Sequence, residues 1–324
     1  MKAAVVFQKC ELPKYVHNFP APVAAGDHQL LVTVKAVAIK HLDKMRASGQ
    51  HYSTQNETWE PKVVGGDAAC VLEDGTRVYA LGLSGTIAEK AIIDKNKMVL
   101  IPDKVTDSVA CAIPNGVMGS ALALRFRANI KSGETVLING ATGFTGKIAI
   151  QMARHYGAKT IIATGRNEQS LQSLIALGAD HIISLKQDDD KQAQAIKIIH
   201  KETPIDIVID YVWGHTAEII LNALKGDGGF SHKTRYVTVG AMAGDKIELS
   251  SSILRSTNIQ ISGSGLGSWS RSEVHTLINE ILPEAFQWAA TNELKIETVD
   301  VNLENIENVW NIPVSDGKRL VIKI

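Results

Sequence analysis

Cysteine is scarce in this 324-residue chain: only Cys10, Cys70 and Cys111 occur, widely spaced and with no C-x-x-C pair. That spacing excludes a disulfide framework and a cysteine-built structural zinc lobe, and it fits a reducing compartment, with the cytoplasm as the expectation. Excess charge of one sign is missing as well. Lys+Arg and Asp+Glu both number 34, so the formal net charge is zero, and such balance leaves no footprint for nucleic acid or an acidic membrane. No uninterrupted apolar run is long enough to cross a bilayer. The opening "MKAAVVFQKCELPK" has an apolar patch closed by Gln8 and Lys9, shorter than a signal-peptide core, and reads as a first strand. Neither H-E-x-x-H nor Tyr-x-x-x-Lys occurs; Tyr156-Gly-Ala-Lys159 falls one residue short of the latter. Catalysis built on either pattern is disfavoured on that ground.

What remains is an ordinary globular composition, 45% hydrophobic, over a length that suggests two domains at roughly 150 residues each. The first hundred residues carry short β-rich runs, "LLVTVKAVAI", "RVYALGL" and "KMVLIP", punctuated by Gly, Pro, Asp and Asn, and read as a mostly β unit. From about Pro114 a helix leads into a different pattern. "TVLIN", "TIIAT", "HIISL", "IDIVID", "RYVTVG" and "NIQISGS" are separated by helical segments. Six strands alternating with helices imply an α/β domain with a doubly wound parallel sheet. A helix around Ser272 to Ala290 and a last strand "RLVIKI" follow; whether this tail completes the first domain is open in the sequence.

Between the first strand of that series and its helix lies "VLINGATGFTGK". It fails as a Walker A loop, because Ala141 stands at the first glycine and Ile148 follows Lys147 where Ser or Thr would hold magnesium. It fits a Rossmann turn, Ala141-Thr142-Gly143-Phe144-Thr145-Gly146, with alanine for the first glycine. Such glycines let backbone approach a pyrophosphate that sits on the helix N-terminus; the plainer reading is a turn needed only for packing. The second strand ends "ATGRNE". Gly165 stands where an NAD site places its acid, and Arg166 follows with a guanidinium suited to a 2′-phosphate. Thr164, Gly165, Arg166 and Asn167 are therefore candidate NADPH contacts, and Glu168 belongs to the next helix.

The whole chain resembles the zinc-independent quinone oxidoreductases of the medium-chain dehydrogenase/reductase superfamily, through "AVAIKHLDKMRASG", "VVGGDAACVLEDGTRVYA", "GATGFTG", "LGADHIISL", "DIVIDYVWG" and "GKRLVIKI". The resemblance implies a GroES-like domain over 1–118 completed by 268–324, a Rossmann domain over 119–267, and a cleft between them for nicotinamide and substrate. Zinc-dependent relatives place cysteine, histidine and cysteine where this chain has Lys40, Gly66 and a residue near Asn115, so no metal is expected. Without a Lewis acid, hydride needs a conjugated acceptor, a quinone or an α,β-unsaturated carbonyl. Lys40 stands where many relatives have asparagine; it is either a substrate-orienting group or proton donor with a lowered pKa, or a surface lysine. Tyr52 is a second candidate donor. His41 occupies a position that meets cofactor phosphate in some relatives, and Gly240, Ala241, Gly263 and Ser264 match places where backbone meets the nicotinamide end. The strand around Ile259 to Ile261 is expected at a sheet edge that relatives pair into a homodimer. Two other readings stand: an NADPH-binding redox sensor without turnover, and an enoyl-thioester reductase, for which the sequence shows no obvious basic cluster.

Overall fold

A computed structural model describes residues 1–51 and 59–324. The chain gathers into two compact units, Gly116–Leu277, and Met1–Asn115 with Ile278–Ile324.

In Gly116–Leu277 every position of Thr135–Asn139 and Ile207–Asp210 is buried. Because successive strand side chains point to opposite faces, complete burial means that both faces of the sheet are covered, which is why these strands read as continuous apolar runs. They are neighbours at the centre of a six-stranded parallel sheet in the spatial order His181–Ser184, Thr160–Gly165, Thr135–Asn139, Ile207–Asp210, Thr234–Thr238, Ile259–Gly263. Numbered along the chain this is 3-2-1-4-5-6, the doubly wound order whose switch point lies between the first and fourth strands. The α/β class expected from the alternation is borne out. The helix Phe144–His155 buries Ile148, Ala149, Met152 and Ala153, the helical spacing visible in the sequence, and Gly157 at φ +85° follows its cap.

The helix expected from Pro114 starts earlier, at Asp107, and Pro114 lies inside it. A proline there removes one helical amide, but the surrounding residues Ala110, Ile113 and Val117 are fully buried, so packing holds the helix together. With its π-helical continuation it spans Asp107–Arg127, long and apolar enough by composition to cross a bilayer, though Pro114, Asn115 and Ser120 interrupt its apolar residues; 67% of its most apolar stretch is buried within the protein, as in a core helix.

The other unit is a β structure. Gln29–Ala38 pairs antiparallel with Asp67–Val71, which pairs with Arg77–Gly82, then Lys90–Leu100, which returns to Gln29–Ala38. A register shift between Val34 and Ala36 lets one long strand serve two partners, and the sheet closes on itself. The terminal strand Arg319–Lys323 pairs antiparallel with Gln29–Ala38 through Val321 and Ala38, and Thr298–Asn302 pairs parallel on its other side as the edge strand, so the last part of the chain belongs to this sheet. Val32, Val34, Val78, Ile93 and Ile322 form its interior.

Candidate functional site

The glycine turn is built by a left-handed residue, a strand-to-turn hydrogen bond and a close backbone approach. Gly140 takes φ +83°, so the left-handed turn is made one residue before the fingerprint begins, and Ala141 can stand in the first glycine's place. The Ala141 amide donates to Thr164 O at 2.8 Å, fastening the turn to the second strand. A Cβ on Gly146 would lie 2.5 Å from Gly140 O and 2.6 Å from Ala141 Cα, so only glycine lets the helix sit against the turn. Gly143 is the N-cap of Phe144–His155 and no side chain caps it. The first amides of a 12-residue helix thus face the turn with the positive end of the helix dipole. Thr142 and Thr145 are half-buried on this turn.

Gly165 closes the second strand. A Cβ there would meet Thr142 Cγ2 at 2.3 Å, so no acid can replace it while Thr142 keeps its place. Chemistry and sterics agree at this position. Arg166 is exposed and makes no ion pair among the described residues. Strand register places Ser184 opposite Gly165, the Leu185 amide donates to Gly165 O at 2.8 Å, and the exposed Lys186 follows. Lys186 is a second cation beside the strand end that the sequence reading missed, because only the parallel register brings it there. Glu168 is held by the Ser184 hydroxyl. Asn167 caps the helix Glu168–Ser173, its Oδ1 accepting from the Ser170 amide at 2.9 Å, so its side chain serves the fold. Thr164 is likewise committed inward: Oγ1 donates to Asn139 Oδ1 at 2.7 Å and accepts from the Gly140 amide at 3.1 Å.

Beneath the turn lies a buried polar network. Asp210 is fully buried. One of its oxygens accepts from Asn139 Nδ2 at 2.8 Å and from the amides of Val212 at 2.8 Å and Trp213 at 3.0 Å, and the other accepts from the Tyr236 hydroxyl. Asn139 Nδ2 also donates to Thr216 Oγ1 at 3.0 Å. By accepting from the Val212 and Trp213 amides, Asp210 fixes the turn in which Trp213 takes φ 56°, a conformation rare for a bulky side chain. Gly240 is packed so closely that a Cβ would lie 2.8 Å from Tyr211 O. Ala241 and Gly263 are exposed, and the buried Ser264 accepts from Trp269 Nε1 at 3.0 Å.

In the β unit Lys40 is 4% exposed and is no surface lysine. Its ammonium donates to Asp67 and lies 3.2 Å from Asp43, while its own amide donates to Asp43 at 2.9 Å. The Tyr79 hydroxyl donates to the other oxygen of Asp67 at 2.9 Å. Burial alone would lower the lysine's pKa; the two carboxylates outweigh it and hold the value raised. The lowered pKa expected of a proton donor is therefore corrected. Burial pushes Asp43 up and takes the nearby Cys111 thiol well above its ordinary range. Arg319 donates to Ile39 O at 3.0 Å and Asn115 Oδ1 at 3.1 Å; burial brings it down to about 10 against the pull of Asp43 and Asp67.

A cavity of about 170 Å³ is lined by His41, Lys44, Lys318 and Arg319 together with Ile312 and Val314. Burial and Arg319 lower Lys44. This is a basic cluster that no stretch of sequence displays, assembled from two distant segments. His41 is exposed at the start of the short helix His41–Ala47. Tyr52 lies outside the described residues.

A doubly wound sheet with a glycine turn into an uncapped helix, carried in one chain with a GroES-like β unit, defines a two-unit dinucleotide-binding dehydrogenase. The model of the family described as zinc-binding dehydrogenase matches residues 145–282. The probable NADPH-dependent quinone reductase tdiC of Emericella nidulans is 27% identical, over 94% of this chain and 95% of its own length. The quinone oxidoreductase of Sus scrofa is 29% identical over 66% of this chain and 65% of its own. Among solved structures, the quinone oxidoreductase from Thermus thermophilus, also solved in complex with NADPH, matches with a TM-score of 0.80 at 24% identity over 100% of both chains. In sequence and fold the chain is similar to the quinone oxidoreductase-type members of the medium-chain dehydrogenase/reductase superfamily.

Proposed function

We propose that the protein is an NADPH-dependent oxidoreductase that reduces a quinone or an α,β-unsaturated carbonyl without zinc. The observation that carries this reading is the second-strand end, where Gly165 excludes an acid by its contact with Thr142 and Arg166 stands exposed. Residues Ala141 to Gly146 and the first amides of Phe144–His155 would hold the pyrophosphate. Arg166 with Lys186 would hold the 2′-phosphate, and backbone at Gly240, Ala241, Gly263 and Ser264 would face the nicotinamide side. Thr164 and Asn167 shape this site from beneath. His41 stays a candidate phosphate contact, in company with Lys44 and Lys318. Gly116–Leu277 is then the cofactor domain, and the β unit the catalytic one.

NADPH, when bound, supplies the hydride. The donor set around Lys40 does not fit zinc: an ammonium repels a dication, Gly66 has no side chain, and Asn115 Oδ1 already accepts from Arg319. The family model that carries zinc in its description matches none of these three positions. An acceptor lacking a metal's polarisation has to be conjugated already. Lys40 keeps its proton between Asp43 and Asp67 and acts as a fixed internal cation that orders the His41–Ala47 helix. Tyr52 remains the proposed proton donor. We place the protein in the cytoplasm, as a homodimer joined through the edge strand Ile259–Gly263.

Because Lys40 is consumed by its carboxylates, a sensor that binds NADPH without turnover is the second reading. Consumption of NADPH, followed by its absorbance, with a panel of quinones and enones decides between them. Turnover on any of them supports the enzyme. Tight binding of NADPH with no turnover supports the sensor.

A further inference from the structure

Tyr211 is the first residue after the strand Ile207–Asp210, and its amide donates to Asn139 O at 3.1 Å. It therefore stands at the switch point of the sheet, facing the start of the glycine turn. Glycines flank it on both sides: a Cβ on Gly140 would lie 3.6 Å from Tyr211 Cβ, and one on Gly240 would lie 2.8 Å from Tyr211 O.

The ring is half-buried, yet its hydroxyl is buried and has no hydrogen-bond partner among the described residues. The polar side chains at this end of the sheet are bonded to one another. Asp210 already takes two amides, Asn139 and the Tyr236 hydroxyl, and Thr164 and Thr216 are bonded to Asn139. Burial holds the Tyr211 phenol above its usual range, so it stays a donor at every working pH. A buried hydroxyl without a partner is a standing penalty that folded proteins seldom tolerate. One that stands at the switch point of a doubly wound sheet, where such sheets take their ligands, is most simply explained if the partner arrives with the ligand.

We propose that the Tyr211 hydroxyl is completed by the nicotinamide half of the bound dinucleotide, donating its hydrogen bond to a ribose oxygen. The half is chosen by place. The pyrophosphate belongs at the turn after the first strand, the 2′-phosphate at the second, and Tyr211 stands beyond them toward Gly240. The proposal rests on the NADPH reading above and adds to it a residue that positions the reacting ring.

Tyr211→Phe removes the oxygen and keeps the ring. The expected result is binding of NADPH weakened about tenfold, unchanged binding of 2′,5′-ADP, which carries the adenine half only, and an apoprotein Tm that is equal or higher because an unsatisfied group has gone. Unchanged affinity for both ligands overturns the proposal, since water alone would then satisfy the hydroxyl. Equal weakening of both overturns it too, as would a lowered apoprotein Tm with NADPH affinity intact. A folded wild-type protein that binds neither ligand sinks the NADPH reading itself, a result no Tyr211 variant is needed to see.

Discussion

Replacing Lys40 by Ala tests whether this residue is a fixed internal cation or a working proton donor. The side chain is 4% exposed and lies between Asp43, at 3.2 Å, and Asp67. Removing it leaves two buried carboxylates without their counter-charge, which costs about 3–5 kcal/mol in comparable buried pairs. With about 2–4 °C of Tm per kcal/mol for units of this size, the melting temperature should fall by roughly 6–20 °C. The fall should shrink when Asp43→Asn and Asp67→Asn are added, because the uncompensated charge is then gone. The pH dependence supplies a second test. A lysine pKa raised in the folded state contributes stability that is complete below the ordinary lysine value of 10.5 and is lost as pH rises through the folded value above it. Thermal melts from neutral to strongly alkaline pH should therefore show the Lys40 term disappearing only above that value. A Lys40→Ala protein that melts within 1 °C or so of wild type, or a Lys40-dependent transition between pH 7 and 9, would refute the reasoning.

Other predictions bear on separate parts of the molecule. Arg166→Ala should weaken NADPH binding about 10–100-fold, the worth of a charge-assisted hydrogen bond, and leave NADH unaffected; Lys186→Ala should act in the same direction and more weakly. Gly165→Ala should disturb the turn, since its methyl would lie 2.3 Å from Thr142 Cγ2; overpacking of about 1–3 kcal/mol is expected in chemical denaturation, with partial recovery in the double variant with Thr142→Ser. Arg127 bonds Glu273 at 2.7 Å and, as the first cause, holds its carboxyl down at about 2. A depressed acid contributes stability present above its ordinary value of 4.5 and lost as pH falls through about 2, so Glu273→Gln should lower stability by about 0.5–1 kcal/mol at neutral pH, an effect that fades as pH falls to 2 and below.

The Rossmann half was legible because its signals are local. Short apolar runs separated by helical segments gave all six strands, and the Ala141–Gly146 turn announced its own strand and helix. What stayed hidden depends on register or on long-range contact. Lys186 comes to Gly165 only through the pairing of His181–Ser184 with Thr160–Gly165, and Tyr211 matters only once Gly140 and Gly240 are seen to flank it. Lys40 escapes a local reading for the same reason. Its partner Asp67 is 27 residues away, and two carboxylates that outweigh burial cannot be read from a lysine at a strand end. Pro114 misleads in the other direction: as a helix breaker it marks a start, but the buried residues around it carry the helix back to Asp107.

The most direct test of the account follows the oxidation of NADPH and of NADH by a simple quinone, with the protein first stripped and then assayed in excess chelator. The account predicts turnover with NADPH, a strong preference over NADH that Arg166→Ala sharply reduces, and no loss of rate on chelation. Activity that vanishes with the chelator and returns with zinc, or a preference left undiminished by the loss of Arg166, would contradict it.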